Sequence, residues 1–429
     1  MRSTKRANSP LGAPWCAATL LSVLIILTAA SASAAEFRTW TDTKGRTVIA
    51  KLVRVDDDIV LVEMKDGRKT EIKRKILSKA DIDFLAEYGG QGAADVDVTA
   101  EAAVPEKTVR VDSKVFKKWD QPFQFTGLEI DFNVLETPHF LVMTSGSVRE
   151  KDTAEGAEIL WHGMAFQHPS FARKWEGKKM AIFIVTEASD YNAIGAWYAD
   201  VLRKGGDVAE GNNMALSWPH AVSGTIGLEA SQATEHNLFT QVRCFKADDP
   251  KLLTGTWAPF RTHCLAGDML NLQMGGISNF GSAGYFALSN GHSYYKEIQL
   301  CDKTETTKVN ADAYASDEVK TTGGFEDGRR WAKTIKDLIR KDKVKPSIDA
   351  LYRLKLDGMT PTDCVLTYAF SRYLQSTVGR LANYATLAER VETSNQIPEP
   401  IELAKIYGFK SVKELEDDWI AYMAGSSFR

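Results

Sequence analysis

The chain has 429 residues, a length that suits two or three domains. Apolar residues make up 44% and charged residues 25%, which excludes wholesale disorder and collagen-like repetition. With 53 basic residues against 56 acidic ones the net charge is -3, so a strongly basic nucleic-acid binder is excluded as well.

Arg2, Lys5 and Arg6 open the chain, and an uncharged run from Cys16 to Ala30 leads to Ala32-Ser33-Ala34. A basic start, an apolar stretch and a small-residue cleavage site predict a secretory signal over residues 1–34. The apolar run is shorter than the roughly 20 residues a membrane span requires, so no stable span is expected after cleavage. Losing the leader removes three positive charges and moves the net charge from -3 to -6. The expected product is secreted or periplasmic, in the cell envelope. Its four cysteines, Cys244, Cys264, Cys301 and Cys364, contain no C-x-x-C pair. Three disulfide pairings and buried free thiols all stay open.

Residues 36–88 read as a small β unit. Phe37 to Thr41 and Thr47 to Val55 are rich in strand-forming residues, with a turn at Asp42 to Arg46 between them. Asp56-Asp57-Asp58 turns the chain into Ile59 to Val62, and Lys65-Asp66-Gly67-Arg68 signals a hairpin before Lys69 to Ile72. Ser78 is placed to cap a short helix whose Ile82, Phe84 and Leu85 face inward. Short strands of this kind can close into a barrel, and one is expected here. The runs W-T-D-x-x-G-R, D-G-R-K-T-E-I and L-S-K-A-D-x-x-F-L resemble the SLA-type homology domain, an SH3-like barrel of fungal endocytic adaptors and many exported bacterial proteins. That resemblance implies binding of a peptide or protein, and a spacer module without a ligand is the alternative. Residues 89–117, rich in Gly and Ala and without an aromatic before Phe116, are expected to form a flexible linker.

Residues 118–429 show a mixed pattern. Strands are expected at Pro138 to Met143, Lys179 to Val185 and Asn237 to Phe245, with a helix over Ala154 to Phe166. After Phe260 the pattern is mostly helical, with helices at Asp363 to Ser376 and Ser411 to Met423. The fold class is therefore α+β: a small barrel followed by a larger α/β domain with a helical C-terminal half.

Two predicted helices carry the chemistry, Pro259 to Leu270 and Gly284 to Tyr295. Their order and spacing resemble the gluzincin zinc metallopeptidases, in which one helix supplies H-E-x-x-H and a second supplies a glutamate within W-x-x-E-G-x-A-x-Y. Histidines at i and i+4 share a helix face and grip zinc, the glutamate between them serves as base, and the downstream glutamate is the third ligand. Carried over by position, His263 matches the first histidine. Cys264 replaces the base, Gly267 the second histidine and Asn290 the third ligand. Gly291 and Tyr295 match, while Ala287 replaces the tryptophan. Glycine offers no donor and asparagine is a poor stand-in for a carboxylate, so neither a metal nor another cofactor is expected. Gly267 points to close helix packing or to space left by a lost side chain.

His292 lies about 200° around the helix from Asn290 and should face away from the seam. Cys264 would need a partner from another element to act as a nucleophile. His139, His162, His168, His220 and His236 show no ligand spacing, and a capping or surface role is expected for His162 and His168. Trp197, Trp218, His292 and Tyr295 are candidate cleft residues. The expected function is an exported, non-catalytic protein that holds a peptide or protein segment in a vestigial peptidase cleft by strand pairing. The alternatives are an active hydrolase with a rebuilt metal or cysteine site, and a structural cell-envelope component.

Overall fold

The computed structural model describes residues 38–55, 59–65, 68–82, 85, 98–168, 171–247, 253, 255, 257–274, 282–304, 328–355 and 358–428. The expected leader at 1–34, the turn at Asp56-Asp57-Asp58, Asp66-Gly67 of the hairpin, Phe84 and residues 89–97 lie outside them. Contacts divide the chain into two units, residues 1–97 and 98–429.

In the first unit, β1 (Arg38–Thr41), β2 (Thr47–Val55), β3 (Ile59–Met64) and β4 (Lys69–Lys73) form an antiparallel sheet in sequence order. Alternation puts Trp40, Ala50, Leu52, Val60 and Val62 on one face, where they bury Leu77 and Leu85. The sheet stays open: a bridge joins Asp42 to Leu77, and no closed barrel forms among the described residues. Asp81 ties the ends together by accepting from Arg38 Nη2 (2.7 Å), the Thr41 amide (2.7 Å) and Ser78 Oγ (2.9 Å). Ser78 in turn caps the Asp81 amide, as expected.

The second unit holds a six-stranded sheet. Its strands are β5 (Lys117–Lys118), β6 (Asn133–Glu136), β7 (Phe140–Ser145), β8 (Lys179–Val185), β9 (Ser223–Gly227) and β10 (Leu238–Lys246), in the order β5-β6-β7-β8-β10-β9. The central β7, β8 and β10 run parallel, and β9 closes the edge antiparallel to β10. β8 reads as a continuous apolar run because both faces are covered. Ile182 and Ile184 face the helical half, while Ala181, Phe183 and Val185 face Tyr191 and Trp218. The helices used below are α1 (Glu150–Gln167), α2 (Ala188–Lys204), α3 (Val208–Ser217), α4 (Pro259–Gln273), α5 (Gly291–Cys301), α6 (Gly328–Arg340), α7 (Pro361–Leu374), α8 (Val378–Ser394) and α9 (Val412–Ala424). Pro361 sits in the first turn of α7, and Thr360 and Asp363 complete a capping box there. The second expected motif helix is not continuous: a π-turn over Phe286–Asn290 precedes α5.

The expected linker is corrected from residue 98 onward. Val98, Ala100 and Ala102 bond Gly379, Val378 and Ser376 through their backbones, and Glu101 bridges Thr377. Glu106 enters the core, where its carboxylate meets the equally buried Lys296 ammonium at 2.6 Å, beside Gln167. A side chain at Gly163 would overlap that carboxyl group and displace it from Lys296, so glycine leaves the pair its room. A small-residue composition signals weak packing on average, but here one paired charge anchors the segment.

His168 is corrected too, being fully buried with Tyr384 and near His292 and Lys296 rather than capping or on the surface. His162 is exposed, as expected. Phe166, the last residue of the expected helix, is 66% exposed. Cys244, Cys264, Cys301 and Cys364 form no disulfide with one another.

Two stability outcomes follow from this core. Glu106→Ala strands the Lys296 ammonium and should cost about 3–5 kcal/mol, whereas the double variant with Lys296→Met should recover much of it, read from denaturant unfolding. Burial, then the Lys296 charge, lowers the His168 pKa from 6.5 to about 3. Its folded value lies below the unfolded one, so this stabilisation is present above pH 6.5 and drains away as pH falls toward 3. Unfolding free energies from urea titrations should therefore drop by up to about 1.4 kcal/mol per pH unit for this group, and His168→Asn should flatten that slope.

Candidate functional site

A cleft of about 780 Å³ opens beside β9. Its walls are β9 and β10, with Tyr198 of α2 and Glu210 and Met214 of α3. Its floor is α4, the π-turn and Ser293 of α5. His263, Cys264, Gly267 and Asn290 all line it, so four of the five motif positions converge on one cavity.

The floor follows from helical spacing. His263, Gly267 and Asn271 lie one turn apart on α4, and Glu297, Ser293 and Ser289 lie one turn apart on the facing stretch. They meet rung by rung. His263 Nδ1 is 2.9 Å from Glu297 Oε2. A Cβ at Gly267 would lie 2.5 Å from Ser293 Oγ. Ser289 Oγ donates to Asn271 Oδ1 at 3.0 Å. Gly267 is thus a glycine of close helix contact. Gly291 has the same role on its other side, because a Cβ there would meet the Thr367 carbonyl oxygen of α7 at 2.5 Å. Sequence reading missed Glu297, which lies seven residues past the position that spacing assigned to a ligand.

Below β9, Arg243 grips Asp268 through two bonds of 2.6 Å, and Thr225 Oγ1 adds a third contact to that carboxylate at 3.4 Å. Burial opposes the Arg243 charge, but Asp268 outweighs it and raises the guanidinium pKa, so the pair stays ionised and neutral overall. Ser223 Oγ contacts Cys264 Sγ at 3.7 Å. The Asn290 Nδ2 atom is buried at the cleft floor without a hydrogen-bond partner.

The edge of β9 is the other resource. Leu228 donates its amide to Thr240 and Lys246 donates to Val222. In an antiparallel ladder the pairing alternates, so Gly224 and Ile226 bond β10 while Ser223, Thr225 and Gly227 turn their N–H and C=O groups outward. No described residue bonds the outward backbone groups of Ser223 and Thr225.

Of the candidate cleft residues, only Trp218 lines this cavity. It stacks on Tyr191, donates Nε1–H to the Tyr191 carbonyl at 2.7 Å, and fits between Gly195 and Gly224. Trp197 packs instead near Gly127. His292 faces away from the seam, as its angle predicted, and meets Gln375 Nε2 at 3.3 Å. Burial holds its pKa far below the usual range. Tyr295 is buried and lines a different pocket.

The residues at the motif positions do not fit a zinc ion. His263 Nδ1 is taken by Glu297, Gly267 has no donor, and no group of three His, Cys, Asp or Glu side chains among the described residues is placed to hold a metal. No protein-family model, curated protein or solved structure matches this chain. No described helix is long and apolar enough to cross a membrane.

Restoring the second motif histidine should not restore the metal. Gly267→His places its Cβ on Ser293 and is expected to lower the melting temperature while leaving zinc below one equivalent, as read by elemental analysis after dialysis.

Proposed function

We propose that this is an exported, non-catalytic protein that holds an extended peptide or protein segment in the cleft beside β9. The observation that carries the reading is the free edge of β9. An incoming strand can pair with the outward N–H and C=O groups of Ser223 and Thr225, while the floor offers a neutral, hydroxyl- and amide-rich surface. Main-chain pairing supplies affinity without demanding a particular side chain, so recognition is expected to be broad. The positions of the gluzincin-like motif contribute packing and hydrogen bonds here.

A peptide array probed with the purified protein tests this. Thr225→Pro deletes an outward N–H and blocks strand addition, yet removes no ladder bond, since that N–H does not face β10. It should cost at least about tenfold in peptide affinity with unfolding unchanged, whereas Thr225→Val should bind normally. Cleavage of array peptides, or stoichiometric zinc lost on His263→Ala, would instead establish a hydrolase.

A further inference from the structure

The second unit carries another concavity, a pocket of about 340 Å³ between the 98–107 segment and helices α5, α7, α8 and α9. Three phenols border it, Tyr295, Tyr368 and Tyr422. The direction of their hydrogen bonds is informative. Tyr368 Oη accepts from Arg372 Nη1 at 2.8 Å, and Arg372 bonds the Tyr422 hydroxyl as well. Tyr295 Oη accepts from Gln299 Nε2 at 2.8 Å. A guanidinium can only donate, so Tyr368 and Tyr422 use their oxygens as acceptors and keep their protons to give. No described residue accepts from any of the three phenols. Burial raises the pKa of all three, Tyr368 and Tyr422 included, so they stay protonated.

The charges around the pocket are balanced, so its donor character rests on the phenols and on Arg372. Lys107, Arg372 and Arg380 line the pocket against Glu101 and Asp302. Arg380 is engaged by Asp418 at 2.7 Å and by Ser376 Oγ. Arg372 reaches the Ser427 carbonyl at 3.1 Å and lies among the phenols.

We propose that this pocket binds the oxyanion end, carboxylate or phosphate, of a small ligand, with the phenol protons and the Arg372 guanidinium as its donors. Such a group accepts at every oxygen and matches a lining that donates. The proposal is independent of the cleft beside β9.

Calorimetric titration of the full chain with sodium phosphate and with sodium acetate, against sodium chloride at equal ionic strength, tests it. Saturable heat in one arm and none with chloride is expected, and the responding arm distinguishes phosphate from carboxylate. The double variant Tyr368→Phe with Tyr422→Phe keeps both rings and removes only the protons, so binding should weaken at least about tenfold. Should that variant fail to fold, Tyr295→Phe should weaken binding in the same direction. Heats equal to those of chloride in both arms, or wild-type affinity in the phenylalanine variants, would overturn the proposal.

Discussion

The packing of α4 against α5 is held at one-turn intervals by His263 on Glu297, Gly267 on Ser293 and Asn271 with Ser289. Every other feature of the cleft is referred to this ladder. It is buried, so each polar member must find its partner across the seam or forfeit its hydration without return. The middle rung brings the two backbones together, and the outer rungs set their register. Side chains that would have to turn outward to clasp an ion are instead spent on holding the two helices together.

From that seam the cleft is built in one direction. Asp268, one residue past Gly267, leans toward the sheet and neutralises Arg243, which fixes α4 beneath β10. β9 is then left at the rim with one ladder made and one available. Trp218 backs it from the opposite face, lodged where two glycines leave room for an indole. The outcome is a trough whose floor is electrically quiet and whose rim is a row of main-chain donors and acceptors.

Much of the sheet was legible from sequence. β8 has the bounds its apolar run predicts, and β7, β10, α1, α4, α7 and α9 fall within a few residues of their periodic patterns. The convergence of His263, Gly267 and Asn290 was legible too, because i and i+4 spacing encodes a helix face. What was not legible depended on partners distant in sequence. Glu106 reads as one more acid in an alanine-rich stretch, and only Lys296, 190 residues away, makes it an anchor. His168 sits beside a proline like a surface residue, and its burial depends on Tyr384 of α8. The three phenols around the second pocket are scattered over α5, α7 and α9 with no common spacing.

The π-turn at Phe286–Asn290 sets how the stretch before it is joined to α5. Such a turn accommodates one residue more than the α-helix it interrupts. It therefore marks the spot where a single codon gained or lost could be absorbed without unravelling α5. The chain entering the turn at Phe286 is rotated by about 100° relative to an unbroken helix. A helical face read by counting residues therefore does not carry unchanged across this joint, and the α5 face that meets α4 is read from Ser293 and Glu297 onward.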